Sequence, residues 1–282
     1  MELAIASGLV HLKPEERNPL YTHNEGTGKL IQHALRQGAQ KIVLCLGGSA
    51  TTEAGLSIAT ELGYRFLDKK NKPIQPTGET LSTIMHYEKT DAYVDFELEV
   101  LCDVTNPLYG PQGAAYVYAP QKGADQTTVQ LLDKGLQHIA QLIKQQTNID
   151  INTIAGAGAA GGIAGGLFAL FDAKLINGFD YLSQLSNLEN QIQISEVVVS
   201  GEGKVNHSSL QGKVPGKIAE LCLKYQKPLI LIAGDSSLQV EDLPQIPIHT
   251  ITAIAQNETD AMSNAAEYIE RIASEIDWDG YN

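Results

Sequence analysis

The feature that most constrains this chain is a continuous apolar run, Val43–Leu46, that passes directly into two glycines and three hydroxyl side chains over residues 47–52. An uninterrupted apolar run of this length is typical of a fully buried parallel strand. We predict a helix over residues 51–62, which would place the glycine loop at a helix N-terminus, where unpaired N–H groups favour a phosphate or carboxylate. The alternative is a tight strand-to-helix turn in which the hydroxyl groups only cap the helix.

Predicted strands and helices alternate along the 282 residues, which indicates an α/β fold with a largely parallel sheet. The predicted strands are residues 41–46, 96–102, 114–119, 197–199, 229–233 and 249–252. The predicted helices are residues 28–38, 51–62, 127–146, 159–170, 216–225 and 260–276.

The length suggests two domains, and the polar turn residues that begin at Lys69 suggest a boundary between them. We expect a Rossmann-like parallel-sheet domain whose first part is residues 1–65 and whose second part is residues 191–282. A second α/β domain, residues 66–190, would then be inserted in it.

Composition excludes several classes of partner. The net charge of −13 and the pI near 4.9 argue against binding to nucleic acid or to an anionic membrane, since both require a basic surface. The three cysteines, Cys45, Cys102 and Cys222, lack metal-ligand spacing, and we interpret them as core residues in a reducing compartment. With neither a membrane-length apolar stretch nor a signal sequence, we expect a cytoplasmic protein that acts on a small molecule.

A second junction, which contains no glycine, follows the predicted strand over residues 96–102. It contains Asp103, Thr105 and Asn106, whose carboxylate, hydroxyl and amide oxygens can bind Mg²⁺ or a polyol. An Asx turn at the strand end is the alternative interpretation.

A third junction, Gly156–Gly166, is dense in glycine, although glycine costs about 1 kcal/mol per position inside a helix. Close approach of the backbone to a ligand at Gly156 and Gly158 would explain this density, and so would close packing against another helix. The first six residues also match GxGxxG, which leaves a nicotinamide-dependent dehydrogenase as a further hypothesis. That match is weak, because only residues 151–155 precede it as a strand candidate.

A fourth junction follows the predicted strand over residues 197–199. Here Glu202 lies between Gly201 and Gly203, where its carboxylate could reach a metal or a substrate hydroxyl. Lys213 or Lys217, further along the chain and beside glycines, could neutralise a phosphate, although most lysines are simply solvated. Glycine loops, scattered carboxylates and lysines without an evident nucleophile together favour phosphoryl transfer.

Several motifs, in this order, resemble the type I glycerate kinases, and the likeness covers essentially the whole chain. They are residues 47–51, 102–108, 110–115, 120–124, 156–162 and 201–204, preceded by 17–19 and 26–28. The resemblance implies a kinase that uses ATP and Mg²⁺ to convert D-glycerate to 2-phosphoglycerate, or to 3-phosphoglycerate. It leaves the oligomeric state open.

The resemblance also suggests a role for each candidate residue. Asp103, Glu202 and Lys213 are the predicted catalytic residues, and Asp103 and Glu202 are also the predicted metal ligands. The predicted substrate or phosphate contacts are Gly47, Gly48, Ser49, Thr51, Asn106, Gly156, Gly158 and Gly201.

The chain departs from the family pattern in three places. Family members begin with roughly another quarter of chain, so a catalytically inactive truncated member, or one part of a split glycerate kinase, is the alternative hypothesis. Glu53 stands where the family usually has aspartate. Lys204 and Asn206 stand where it usually has arginine and aspartate, and a lysine cannot form the bidentate contact of an arginine.

Overall fold

The computed structural model describes residues 1–210, 213–238 and 246–281. These residues divide into two compact units, one ending at Gly178 and the other beginning at Phe179. The fold is α/β with parallel sheets, as the alternation of apolar runs predicts. The inserted-domain arrangement, with boundaries near residues 66 and 190, stays a prediction.

The first unit contains a parallel sheet of three strands, β1 (Lys41–Cys45), β4 (Glu97–Leu101) and β5 (Lys174–Ile176), in the order β1-β4-β5. Leu44 of β1 lies opposite Val100 of β4, and both side chains are fully buried. The other strands of this unit are β2 (Tyr64–Leu67) and β3 (His86–Lys89). Its helices are α1 (Ala4–Ser7), α2 (Glu25–Arg36), α3 (Leu56–Glu61), α4 (Ala114–Tyr118), α5 (Gln126–Thr147) and α6 (Ala159–Phe171).

The β2 and β3 strands form an antiparallel pair that the sequence did not lead us to predict. Its inward-facing rings belong to an aromatic cluster in which Tyr64 contacts Phe66, Tyr87 and Phe171. Short strands of this kind are stabilised by side-chain packing rather than by a strong local pattern.

Helix α5 confirms the predicted long helix. Asp125 accepts a hydrogen bond from the N–H of Thr128 at 2.7 Å and so caps the N-terminus. The chain leaves the helix at Asn148, which adopts a left-handed conformation with φ of 61°. Leu132, Leu136 and Ile139 lie on its buried face, in the main core of this unit.

The strand predicted over residues 114–119 is wrong, because this segment forms helix α4. Its alternating Tyr and Val residues have high strand propensity, but Ala114 and Ala115 are fully buried beside the helices α5 and α6. Two small side chains allow that close helix packing, and tertiary context decides such a short segment.

The second unit contains another parallel sheet, formed by β6 (Val198–Val205), β7 (Leu229–Ser236) and β8 (Ile248–Thr250). These strands lie in the order β6-β7-β8. The remaining helices are α7 (Gly178–Leu185), α8 (Leu188–Ile194), α9 (Val214–Tyr225), α10 (Glu258–Ser263) and α11 (Ala265–Glu275). The single closing helix that we predicted is therefore two helices, which meet at Asn264.

None of the helices in the described ranges has the length and apolar character needed to cross a membrane. All three cysteines are free thiols; Cys222 is buried, as predicted for a core residue, whereas Cys45 and Cys102 are partly exposed.

Candidate functional site

The loop after β1 does not lead directly into a helix, which corrects one sequence-based prediction. Helix α3 begins at Leu56, five residues after the predicted start at residue 51. The chain first passes through left-handed conformations at Ala54 (φ 56°) and Gly55 (φ 70°). The first turn of α3 is not capped by the hydroxyl groups of the loop. The carboxylate of Glu53 accepts a hydrogen bond from the N–H of Ser57 in that turn, at 2.8 Å.

Part of the glycine loop is paired with the first residues of the chain. The N–H of Leu9 donates to the carbonyl of Gly48 at 2.8 Å, and the N–H of Ala50 donates to the carbonyl of Ser7 at 3.0 Å. Gly47 is exposed, and a Cβ added to it would have no atom within 4 Å. A ligand could therefore approach the loop backbone at Gly47.

Beneath this loop lies a buried polar cluster formed by Asn24, Thr51, Glu53 and Ser57. The Nδ2 of Asn24 donates to Thr51 Oγ1 at 2.6 Å and to Glu53 Oε1 at 2.5 Å. The backbone N–H of Asn24 also donates to Ser57 Oγ at 2.6 Å. Each member is fully buried, so these bonds hold the loop to helices α2 and α3 at a place that excludes water.

A lysine from a distant part of the chain completes the cluster. The side chain of Lys122 is only 2% exposed, and its Nζ donates to the backbone carbonyl of Thr51 at 2.5 Å. Burial lowers the pKa of Lys122 to about 7, while the neighbouring charge of Glu53 acts in the opposite direction. Burial also raises the pKa of Glu53 to about 7, against the hydrogen bonds from Ser57 and Asn24.

The second and third predicted junctions meet each other in the first unit. The N–H of Gly158 donates to the carbonyl of Asn106 at 2.9 Å. The Sγ of Cys102 lies 3.7 Å from the carbonyl oxygen of Gly156. Gly156 adopts a left-handed conformation with φ of +84°. These contacts bring residues 102–108 and 156–158 together.

The first junction joins the same group. Ser49 Oγ donates to the carbonyl of Ala160 at 3.3 Å, and the N–H of Ala54 donates to the carbonyl of Gly161 at 3.1 Å. A Cβ on Gly161 would lie 2.0 Å from the carbonyl oxygen of Thr51. The glycine at this position is therefore explained by close approach of the loop backbone at Thr51, rather than by the helix packing or the ligand contact that we considered from the sequence.

The GxGxxG match at residues 156–161 lacks the context of a dinucleotide-binding motif. A 3-10 turn, Ile151–Thr153, precedes it, where that motif requires a strand. The backbone then adopts left-handed conformations at Ala160, Gly161 and Gly162, so the start of α6 is kinked.

Asp103 and Asn106 both follow β4, at the carboxyl end of the strand. Asp103 is exposed, and its Oδ1 accepts a hydrogen bond from the N–H of Gly178 at 2.7 Å. Asn106 donates from Nδ2 to the carbonyl of Gln112 at 2.9 Å and accepts from the hydroxyl of Tyr118 at 2.7 Å. Asn106 thus shapes the loop, while Asp103 presents a carboxylate to solvent.

The fourth junction belongs to the second unit. Gly201 and Glu202 lie inside strand β6, three residues or more before its end, where we had expected them to follow the strand. A Cβ on Gly201 would lie 1.9 Å from the carbonyl oxygen of Ile232 on β7. Lys213 is exposed at the N-cap of α9.

Two carboxylates could each bind a hard cation, Asp103 in the first unit and Glu202 in the second. Among the described residues, no group of three or more His, Cys, Asp or Glu side chains is arranged to hold a metal ion. Glu202 Oε1 is buried and has no hydrogen-bond partner among those residues, and Asp103 carries an exposed carboxylate. Each carboxylate offers the oxygen ligands that Mg²⁺ prefers.

Comparisons with known proteins identify the family of the chain. A sequence model of the Glycerate kinase family matches residues 1–278. The chain belongs to the glycerate kinase family. It is 36% identical to the glycerate kinase of Bacillus cereus over 98% of this chain and 74% of that protein. It is 38% identical to the glycerate 2-kinase of Escherichia coli over 90% of this chain and 67% of that protein.

The fold comparison gives the same result. A solved structure assigned as glycerate kinase 2 from Salmonella typhimurium LT2 has a TM-score of 0.74 and 35% identity, covering 97% of this chain and 75% of that one. A relative from Synechocystis, 42% identical, is matched over 66% of its own length. The chain thus spans about two thirds to three quarters of the relatives described here.

Two members of the buried cluster were missed by sequence reasoning. Asn24 and Lys122 each lie in or beside a motif shared with the glycerate kinase family, but neither had been given a role. Their partners lie 27 and 71 residues away along the chain. The available signal for Lys122 was the family motif over residues 120–124, which contains it.

Proposed function

We propose that the chain catalyses the ATP-dependent phosphorylation of D-glycerate, at the 2-hydroxyl, to give 2-phosphoglycerate. The observation that carries the proposal is the meeting of three loops, residues 47–52, 102–108 and 156–161, in a chain of the glycerate kinase family. The family match supports the reaction, and the name of the Escherichia coli relative supports the 2-position.

In this proposal the loop at Gly47, Gly48 and Ser49 receives an anionic group, either a phosphate or the glycerate carboxylate. The backbone at Gly47 is open to a ligand, and unshielded peptide N–H groups bind anions well. Thr51 is fully buried, so its contribution is to hold the loop in shape.

The glycines of the third junction contribute in the same indirect way. Gly156 and Gly158 allow their loop to lie against residues 102–107, and that contact fixes the backbone that carries Asp103 and Asn106. In the second unit, the glycine at position 201 is likewise explained by the neighbouring backbone at Ile232. Direct contact of these glycines with substrate stays a prediction.

ATP and Mg²⁺ are the proposed cofactors. Asp103 and Glu202 are the proposed ligands of Mg²⁺, which when bound would neutralise charge on the transferred phosphoryl group. Lys213 would add positive charge at the start of α9, and Asn106 would keep the loop after β4 rigid. Phosphoryl transfer depends mainly on such positioning and charge neutralisation.

The reaction itself balances simply. The 2-hydroxyl oxygen of glycerate forms a bond to the terminal phosphorus of ATP and loses its proton, while the bond from that phosphorus to ADP breaks.

We propose a cytoplasmic location, which the three free thiols support.

The proposal is tested by ADP release from the purified chain with Mg²⁺-ATP, in the presence and absence of D-glycerate. We expect release that depends on D-glycerate and stops when EDTA is added. L-glycerate and glycerol, which differ in configuration or lack the carboxylate, are the matched control substrates. A folded sample without glycerate-dependent release would favour the alternative of an inactive member or one part of a split enzyme.

A further inference from the structure

Lys122 is a charged residue buried in the core of the first unit. It ends a 3-10 turn, Pro120–Lys122, and is followed by Gly123 with φ of +93°. A Cβ on Gly123 would lie 2.2 Å from the carbonyl oxygen of Arg17, so the turn is held tightly in place. Burying an ammonium group is costly unless it is paired and hydrogen-bonded. Its partners therefore indicate why it is there.

The partner of the Lys122 ammonium is the backbone of the glycine loop. Its Nζ donates to the carbonyl oxygen of Thr51 at 2.5 Å. The N–H of Thr51 donates to Ser49 Oγ at 3.2 Å, and Thr51 Oγ1 accepts from Asn24 at 2.6 Å. The amide, the carbonyl and the hydroxyl of Thr51 thus all form hydrogen bonds within the protein.

We propose that Lys122 is a positioning residue, which fixes the conformation of the loop at residues 47–52 through the carbonyl of Thr51. This inference rests on the proposed function of that loop as an anion-binding site. The hydrogen bond from Lys122 Nζ is buried, and a hydrogen bond away from competing water is electrostatically stronger than one in water. Lys122 bonds to the buried part of the loop at Thr51, while the backbone at Gly47 stays open to a ligand.

The competing explanation is that Lys122 only balances the charge of Glu53. Both side chains are buried, and the cluster around them also contains Asn24, Ser57 and Thr51. A counter-charge role requires only that the two charges be present or absent together. A positioning role requires the bond to the Thr51 carbonyl, whatever the state of Glu53.

Two variants separate these roles. Lys122→Met removes the ammonium group and leaves Glu53 without its nearby cation, so this variant is expected to lose stability. The double variant Lys122→Met with Glu53→Gln removes both charges, and we expect it to regain much of that stability. Lys134→Met, an exposed lysine on α5 in the same unit, is the matched control.

The readouts are amide hydrogen exchange over residues 47–52, and kcat and KM for each substrate. In the double variant we expect faster exchange in this loop than in Glu53→Gln alone, which keeps the bond from Lys122 to the Thr51 carbonyl. We also expect the KM of the substrate held by the loop to rise about tenfold or more, while the KM of the other substrate changes by less than about twofold. Lys134→Met should match wild type in every readout.

A double variant whose loop exchanges no faster than that of Glu53→Gln alone would overturn the proposal, and this readout needs no substrate. It therefore stays decisive even if the chain proves not to phosphorylate glycerate. Faster loop exchange combined with wild-type KM values for both substrates would also overturn it, since the positioned loop would then not serve binding. If Lys122→Met fails to fold, the double variant carries the test alone.

Discussion

The peptide N–H of Gly158 donates to the carbonyl oxygen of Asn106 at 2.9 Å, which ties the loop after β4 to the loop before α6. There is no room between them, since a Cβ on Gly158 would lie 2.2 Å from the carbonyl oxygen of Pro107. The glycine is therefore required by the neighbouring backbone. This contact fixes the backbone at Asn106 and Pro107, in the same loop that carries Asp103.

Gly158→Ala should destabilise the first unit. The added methyl group would force the two loops apart, and overpacking of this kind costs about 1–3 kcal/mol. Urea denaturation monitored by circular dichroism would measure the change. Gly47→Ala is the matched control, because nothing lies within 4 Å of its added Cβ, and we expect an unchanged midpoint. Equal midpoints for the two variants would contradict the predicted crowding at Gly158.

Glu53→Gln should change how stability depends on pH. Burial raises the pKa of Glu53 from 4.5 to about 7, so between these values the folded chain binds more protons than the unfolded chain. The contribution of Glu53 to the free energy of unfolding is then fully present below pH 4.5 and is lost as the pH rises to 7, by up to about 3 kcal/mol. The variant, neutral throughout, should lack this decrease.

The measurement is the free energy of unfolding of wild type and variant at several pH values from 4.5 to 7. Glu97→Gln, at an exposed position on β4, is the control and should follow the wild-type profile. Parallel profiles for wild type and Glu53→Gln would mean that ionising Glu53 in the folded state is not costly.

Asp103→Asn should abolish most activity without unfolding the chain. The asparagine oxygen can still accept the hydrogen bond from Gly178, so the local fold survives, but the charge needed for Mg²⁺ is lost. Removing one group that stabilises transition-state charge typically lowers kcat about 10²-fold or more. Turnover of D-glycerate and the thermal midpoint should be measured together.

Asp133→Asn provides a close control for that variant. Asp133 Oδ1 accepts a hydrogen bond from the N–H of Gly110 at 2.7 Å, so it resembles Asp103 in its contact with a glycine amide. We expect Asp133→Asn to keep near wild-type kcat. Wild-type turnover in Asp103→Asn would remove this residue from the catalytic machinery.

The strands and long helices were largely predictable because their signals are local. The apolar runs at β1, β4 and β7 lie where the sequence places them, and the spacing of Leu132, Leu136 and Ile139 indicated α5. The strand predicted at residues 114–119 was wrong because packing of two alanines outweighed the propensity of the residues that follow.

The site was predictable only in part, for a physical reason. Glycines and carboxylates at strand ends could be recognised from sequence, and three of the four predicted junctions do meet in the first unit. The roles of Asn24 and Lys122 depend on bonds to residues far along the chain, which no local pattern contains. Polar residues become buried through such tertiary contacts, so only the folded chain identifies them.

The most direct test of the central claim is the ³¹P NMR spectrum of a reaction containing the chain, Mg²⁺-ATP and D-glycerate. We predict a new phosphomonoester signal alongside ADP, split into a doublet by the single proton on carbon 2. A triplet would place the phosphate on carbon 3 and contradict the proposed position. A spectrum with no phosphomonoester of glycerate, from a folded sample, would contradict the proposed activity of this chain.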